Sequence, residues 1–233
     1  MLSSAMTLTY YGHSTLQLEL ASTSLLFDPF ISGNPFCDGV LTPEDVSPDV
    51  LLLTHAHGDH YGDTEAIIER VKPLVVGQYD LVMTIQNKTG HENIHPMNTG
   101  GAWDFDWGRV TNTYARHSSS FPDGSYGGLA SGFILEAEGK TLYNTGDTCR
   151  FAEMAWTGER YDIDLLLLPI GDDFTMGPDE AVEAAKMLRP KLVVPLHYNT
   201  FPYIETDPEA FAEAIRGKGM EACVLAPGES LHL

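Results

Sequence analysis

Residues 49–60 read DVLLLTHAHGDH. The first half is a short, nearly unbroken apolar run, as expected of a strand over 49–55 that is covered on both faces inside a sheet. The second half sets His55, His57, Asp59 and His60 in the spacing H-x-H-x-D-H. On a continued strand His55 and His57 would point the same way. Gly58, with a helix beginning near Gly62, predicts a sharp turn that returns Asp59 and His60 towards them. Imidazoles and a carboxylate gathered at one point suit zinc, manganese or iron rather than calcium or magnesium. The plainer alternative is a polar strand end carrying solvent-facing histidines.

Upstream of this stretch, residues 8–13, 15–20 and 24–30 are short, rich in β-formers and separated by turn residues. Downstream, 63–71 (DTEAIIERV) has acidic residues first and a basic one late, which predicts a helix. A strand at 74–77 and a second helix at 80–87 follow. The pattern is β-like over 94–116, with further strands at 131–138, 139–147, 162–171 and 191–197. Helices are predicted over 178–189 and 207–219, with Pro178 and Pro208 near their starts. No linker or low-complexity tract interrupts the chain, so a single domain is expected over residues 1–233. Each half holds several strands and then strand–helix alternation. That order predicts an α/β protein, a four-layer α/β/β/α sandwich with two sheets face to face and helices outside.

The chain of 233 residues carries a formal net charge of −20, with 43% hydrophobic and 20% charged residues. Such a balance is that of a globular protein whose field repels polyphosphates and anionic lipid, so neither nucleic acid nor membrane is expected as a partner. Solubility or a salty cytosol accounts for the charge itself. Three cysteines, Cys37, Cys149 and Cys223, form no CxxC pair and suggest neither a disulfide framework nor a thiolate zinc site. Their number fits a reducing compartment. With no basic-then-apolar leader and no apolar run of bilayer length, a cytoplasmic protein is expected.

Three more candidate ligands each close a predicted strand: His117 after VTNTYAR, Asp147 after TLYNTG and His197 after LVVPL. Alone, each reads as a structural residue; together with the first cluster they suggest one distributed site at the strand ends. These stretches, with YYGHSTLQLE, LLFDPFISGNP, HPMNTGG, ARHSSS, GDDFTMGPDEA and PLHYNTFP, span Tyr10 to Pro202. In that order the sequence resembles the metallo-β-lactamase superfamily. Within it, the closest likeness is to small cytosolic metal-dependent hydrolases related to the ascorbate-phosphate lactonases.

The resemblance implies two divalent metal ions, zinc by default, with manganese or iron as alternatives. It places His55, His57 and His117 on one ion, Asp59, His60 and His197 on the other, and Asp147 between them. A hydroxide on the metal pair would attack an ester-like bond of a small molecule, a lactone or a phosphodiester. Asp59 and Asp147 are the expected catalytic carboxylates, Asp59 orienting the hydroxide or carrying its proton. No serine nucleophile is then required, so 117–120 (HSSS) reads as a ligand followed by a polar loop. The rivals are a nuclease-type phosphodiesterase, a di-iron redox protein, and a non-catalytic metal-binding or sensing protein. The sequence leaves the substrate and any homo-oligomer open.

Asp28 is expected to support the histidine loop without binding metal. His13, Asp173 and Thr175 are candidate substrate contacts, with a satisfied structural histidine as the equal alternative at His13. For Asp173 and Thr175 the alternative is capping of the following helix, with Phe174 and Met176 packing. The glycine-rich segment 118–128 has the length and position of a substrate lid, or of an ordinary surface loop. Arg150 would serve a phosphate or carboxylate if it pointed into the cleft, though the plainer reading is an exposed arginine on the next helix. His91, His95 and His232 lie off the ligand pattern.

Overall fold

The apolar run after Asp49 forms a strand, β4 (Val50–Leu53), with all four residues buried. Val50 and Leu52 face one apolar cluster while Leu51 and Leu53 face another, so the run is apolar throughout because both sides of the strand are covered. The computed structural model describes residues 6–233. The reading of an amino terminus without a leader rests partly on residues 1–5, outside the described residues.

The first sheet holds β1 (Thr7–Gly12), β2 (Thr15–Glu19), β3 (Ser24–Phe27), β4, β5 (Leu74–Gln78) and β6 (Ile94–Met97) in that order. The second holds β7 (Ala102–Phe105), β8 (Gly108–Tyr114), β9 (Ser131–Ala137), β10 (Lys140–Asn144), β11 (Leu165–Pro169), β12 (Leu192–Leu196) and β13 (Glu221–Ala222), also in sequence order. The last strand, β14 (Glu229–His232), returns to pair with β1 in the first sheet. Each half runs antiparallel first and parallel afterwards: β1 to β3 then β3 to β6, and β7 to β10 then β10 to β13. Two halves without a sequence repeat thus share one pattern.

Leu16, Leu18, Phe27 and Leu52 from the first sheet and Phe133, Leu135, Leu165 and Leu167 from the second belong to one buried cluster. Outside the first sheet, α2 (Thr64–Val71) and α3 (Tyr79–Thr89) bury Ile67, Ile68, Leu81 and Ile85 against Leu51 and Val75. Outside the second, α4 (Met154–Arg160), α5 (Pro178–Leu188) and α6 (Pro208–Arg216) bury Met154, Ala185 and Phe211 against Leu166 and Leu168. The order helix, sheet, sheet, helix is the α/β/β/α sandwich.

Several strand ends differ from their sequence expectation. The strand expected to reach Phe30 stops at Phe27, because Asp28 takes a left-handed φ of 43°. The strand expected to reach His55 stops at Leu53, and a single helical turn, α1 (Gly58–Tyr61), precedes the helix expected near Gly62, which starts at Thr64. His55 and His57 therefore meet across a loop, not along a strand. The unanticipated α4 contains Gly158, a weak helix former. Packing demands it: a Cβ there would lie 2.3 Å from the Met187 carbonyl oxygen of α5.

Candidate metal centre

Asp147 stands just beyond β10, 2% exposed, and four imidazoles converge on its Oδ2. The Nε2 atoms of His197, His60, His117 and His55 lie at 3.0, 3.2, 3.6 and 4.0 Å. His57 joins through its Nδ1, 3.0 Å from His55 Nε2. Asp59 Oδ2 is 3.8 Å from His197 Nε2 and 3.1 Å from His13 Nε2. All seven residues expected as ligands are thus gathered at one end of the sandwich. They come from the loop after β4 with the α1 turn that follows it, and from the segments following β8, β10 and β12.

Backbone conformation aims several of these groups. His13 (φ 57°), Asp28 (φ 43°) and His197 (φ 53°) all adopt the left-handed region just after a strand, which turns the chain within one residue. Asp28 is fully buried and accepts hydrogen bonds from Thr54 N (2.8 Å) and Thr54 Oγ1 (2.7 Å). Its Oδ2 also lies 2.9 Å from His60 Nδ1, leaving His60 Nε2 to face Asp147. On the other side, His13 Nδ1 is 2.9 Å from Thr200 Oγ1 while its Nε2 meets Asp59. Ser118 Oγ sits 3.3 Å from His57 Nε2.

These surroundings set protonation. Burial pushes His13 down to about 3, despite the Asp59 carboxylate. Burial likewise lowers His55, His57 and His117, with neighbouring imidazoles adding to the effect. Their lone pairs are therefore free near neutral pH. His60 is the exception: burial disfavours its charge, but Asp147 and Asp28 on either side raise it well above the usual range. Burial opposes ionisation of Asp59 and Asp147, yet the imidazoles around them hold both carboxyls well below their ordinary value.

The donor set fits divalent metal. Among the described residues Asp147 Oδ1 is buried without a hydrogen-bond partner, a costly state for a polar atom unless something else satisfies it. His55 Nε2 and His57 Nδ1 face each other at 3.0 Å, so the two rings present nitrogens to the same space. Among the described residues, three groups offer atoms within 4.8 Å of one another: His55, His57 and His117; His55, His60 and Asp147; and His13, Asp59, His60 and His197. The last includes His13, a candidate substrate contact by sequence. The structure instead buries it completely and bonds both its ring nitrogens to protein.

The site opens into a cleft of about 480 Å³ lined by His57, Asp59, His117, Ser118, Asp147, Asp173, Phe174 and His197. Asp173 thus reaches the cleft, whereas Thr175 does not line it and bonds within its own loop. Neither caps α5, whose N-cap is Gly177 with no side-chain bond. Phe174 is exposed, not packed, while Met176 is buried. Arg150 is turned away onto Glu180, its Nε 2.7 Å from Oε2. Of segment 118–128, Ser118 lines the cleft; beyond it the loop folds on itself through a Ser120–Tyr126 bridge. His91 bonds the Pro73 carbonyl, His95 packs on Trp103 and Phe105, and His232 lies in β14. Thr54 and Thr200, which hold site residues in place, were not anticipated; their one signal is adjacency to a ligand motif.

Residues 23–198 match the model of the Beta-lactamase superfamily domain. A UPF0173 metal-dependent hydrolase of Salinibacter ruber is 50% identical over 228 residues, covering 98% of this chain and 100% of that protein. The chain belongs to the UPF0173 metal-dependent hydrolases of the β-lactamase superfamily. A member of this family from Thermus thermophilus is 47% identical over 224 residues, 96% of this chain and 97% of its own. Among solved structures, Igni18, a metallo hydrolase from Ignicoccus hospitalis, superposes with a TM-score of 0.90 at 35% identity and covers 99% of both chains. The metallo-β-lactamase fold protein YhfI of Bacillus subtilis, at 16% identity and a TM-score of 0.75 over 98% of this chain and 99% of its own, shares the fold. This UPF0173 hydrolase is accordingly a metal-dependent enzyme. No helix among its described residues is long and apolar enough to cross a membrane.

Proposed function

We propose that this hydrolase cleaves an ester-like bond of a small molecule, a lactone or a phosphodiester, with two divalent ions held across one buried carboxylate. His55, His57 and His117 would hold one ion, Asp59, His60 and His197 the other, and Asp147 would bridge them. The observation that carries this reading is the convergence of four imidazole nitrogens within 4.0 Å of Asp147 Oδ2. When bound, such a pair supplies hydroxide near neutral pH and polarises the oxygen of the group under attack. Zinc is the first choice for this donor set, with manganese or iron as alternatives.

The chain's own residues do the rest. Asp28 fixes the His60 ring through Nδ1, so that its Nε2 is presented rather than left to rotate. Asp59, 26% exposed and lining the cleft, is the carboxylate placed to carry a proton to the leaving group. His13 holds Asp59 Oδ2 from behind, and Thr200 in turn holds the His13 ring. Ser118 lines the cleft while bonded to His57, which suits a polar contact and not a nucleophile. We read residues 1–233 as one domain, cytoplasmic, acting on a small molecule without nucleic acid or membrane partners. The charge of −20 supports that reading.

Metal-loaded protein assayed on lactones, thioesters and phosphodiesters should turn over at least one class and lose that activity on chelation. No turnover across the panel by protein of verified metal content would contradict the proposal. Salt-sensitive binding of RNA or DNA would favour a nuclease instead.

A further inference from the structure

The rim of the metal cleft is unlike its floor. Phe174 lines the cleft and is 52% exposed; Tyr203, 75% exposed, meets it edge to face with ring centroids 6.4 Å apart. Large rings left in the open at the mouth of a polar cleft form a surface that the apolar part of a ligand can cover. Their arrangement is imposed by the backbone. Asp172 and Asp173 are consecutive left-handed residues, with φ of 61° and 45°, and Phe174 N bonds back to the Asp172 carbonyl, so the loop projects Phe174 outward. Gly171 lets this loop close on the Pro202–Ile204 turn: a Cβ there would lie 2.3 Å from the His197 carbonyl oxygen and 2.8 Å from Ile204 Cβ.

Charge at the rim has one sign. Asp173 lines the cleft beside Phe174, and among the described residues no lysine or arginine does. The arginines nearest the ligand candidates in sequence are committed elsewhere, Arg116 Nη2 3.6 Å from Glu153 Oε2 and Arg150 Nε 2.7 Å from Glu180 Oε2. An anionic group on the far side of a substrate would find no counter-charge there and would face Asp173.

Resting on the hydrolase reading above, we propose that Phe174, Tyr203 and Asp173 select the non-reacting part of the substrate. That part is a compact aryl or apolar group, uncharged or cationic. The reacting carbonyl or phosphoryl group lies at the floor among the histidines, and the aromatic pair clasps what is attached to it. Substrates whose distal portion carries a phosphate or carboxylate are disfavoured.

The test uses the full-length, metal-loaded protein and a matched set of phenyl acetates bearing hydrogen, aminomethyl or carboxylate at the para position. The neutral and cationic members should show kcat/KM about tenfold or more above the carboxylate. Phe174→Ala and Tyr203→Ala should raise KM for the neutral member roughly three- to tenfold, outweighing any fall in kcat. Asp173→Lys should reverse the charge preference. Aromatic ring resonances of Phe174 and Tyr203 should shift on adding the neutral or cationic compound, even to a preparation that hydrolyses none of them. Failure of the hydrolase reading and failure of this inference therefore give different results. A preference for the carboxylate, an unchanged KM in both alanine variants, or rings that do not respond would overturn the proposal. Ring shifts that follow protein concentration without ligand would also overturn it, assigning the pair to contact between copies of the chain.

Discussion

At the scale of single residues, the site is a set of imidazoles whose free nitrogens are selected by what holds the other side of each ring. Asp28 is the clearest case, since it satisfies Thr54 twice and His60 once while fully buried. Asp28→Ala should cost about 3 kcal/mol in urea unfolding of the metal-free protein, through stranded buried donors. It should also weaken metal affinity by roughly 10–100-fold, read by competition with a chelator. An unchanged affinity would remove Asp28 from any supporting role. The metal-type residues were legible because histidine is scarce and three of the nine fall within 55–60. The support behind them was less so. His13 meets Thr200 across 187 positions, and no local pattern announces a pairing that distant.

Among elements, the strands buried on both faces were readable from composition, as β4 and β11 show. Their ends were not. A strand stops where a residue turns left-handed, as at Asp28 and His197, and the neighbouring chain that rewards the turn lies far off in sequence. Helix α4 is not legible in the sequence because Gly158 argues locally against a helix, while the close approach of α5 requires it. The turn between α1 and α2 depends on Gly62, where φ is 38° and a Cβ would lie 2.3 Å from the Pro29 carbonyl oxygen and 2.6 Å from Phe30 Cα. Gly62→Ala should destabilise by roughly 3 kcal/mol or more in chemical denaturation, because backbone and not a flexible side chain blocks the new atom. Gly39→Ala, also left-handed (φ 73°) but with nothing within 4 Å, should cost only about 1 kcal/mol. Equal costs at both positions would mean that the Pro29 contact does not hold the loop.

Across the whole molecule, one titration balance dominates. His13, lowered to about 3 from the ordinary 6.5, stays neutral in the fold where the unfolded chain would take a proton. Burial puts His55, His57 and His117 on the same side. Each such group makes stability fall as pH drops below about 6.5. The lowered carboxyls of Asp59 and Asp147 act the same way further down, losing their contribution as pH falls through their folded values. His60, raised, opposes them: its contribution is present at low pH and is lost as pH rises through its folded value. The balance predicts that metal-free protein loses stability between about pH 6.5 and 3, with His13 alone contributing up to about 1.4 kcal/mol per pH unit. Urea midpoints that rise on acidification across this window would contradict it.

The central claim, two metals sharing Asp147, is tested most directly by elemental analysis of purified, metal-saturated protein beside its Asp147→Ala variant. The account predicts two equivalents of divalent metal per wild-type chain and loss of most of both in the variant. Two full equivalents retained by a folded Asp147→Ala protein would contradict it.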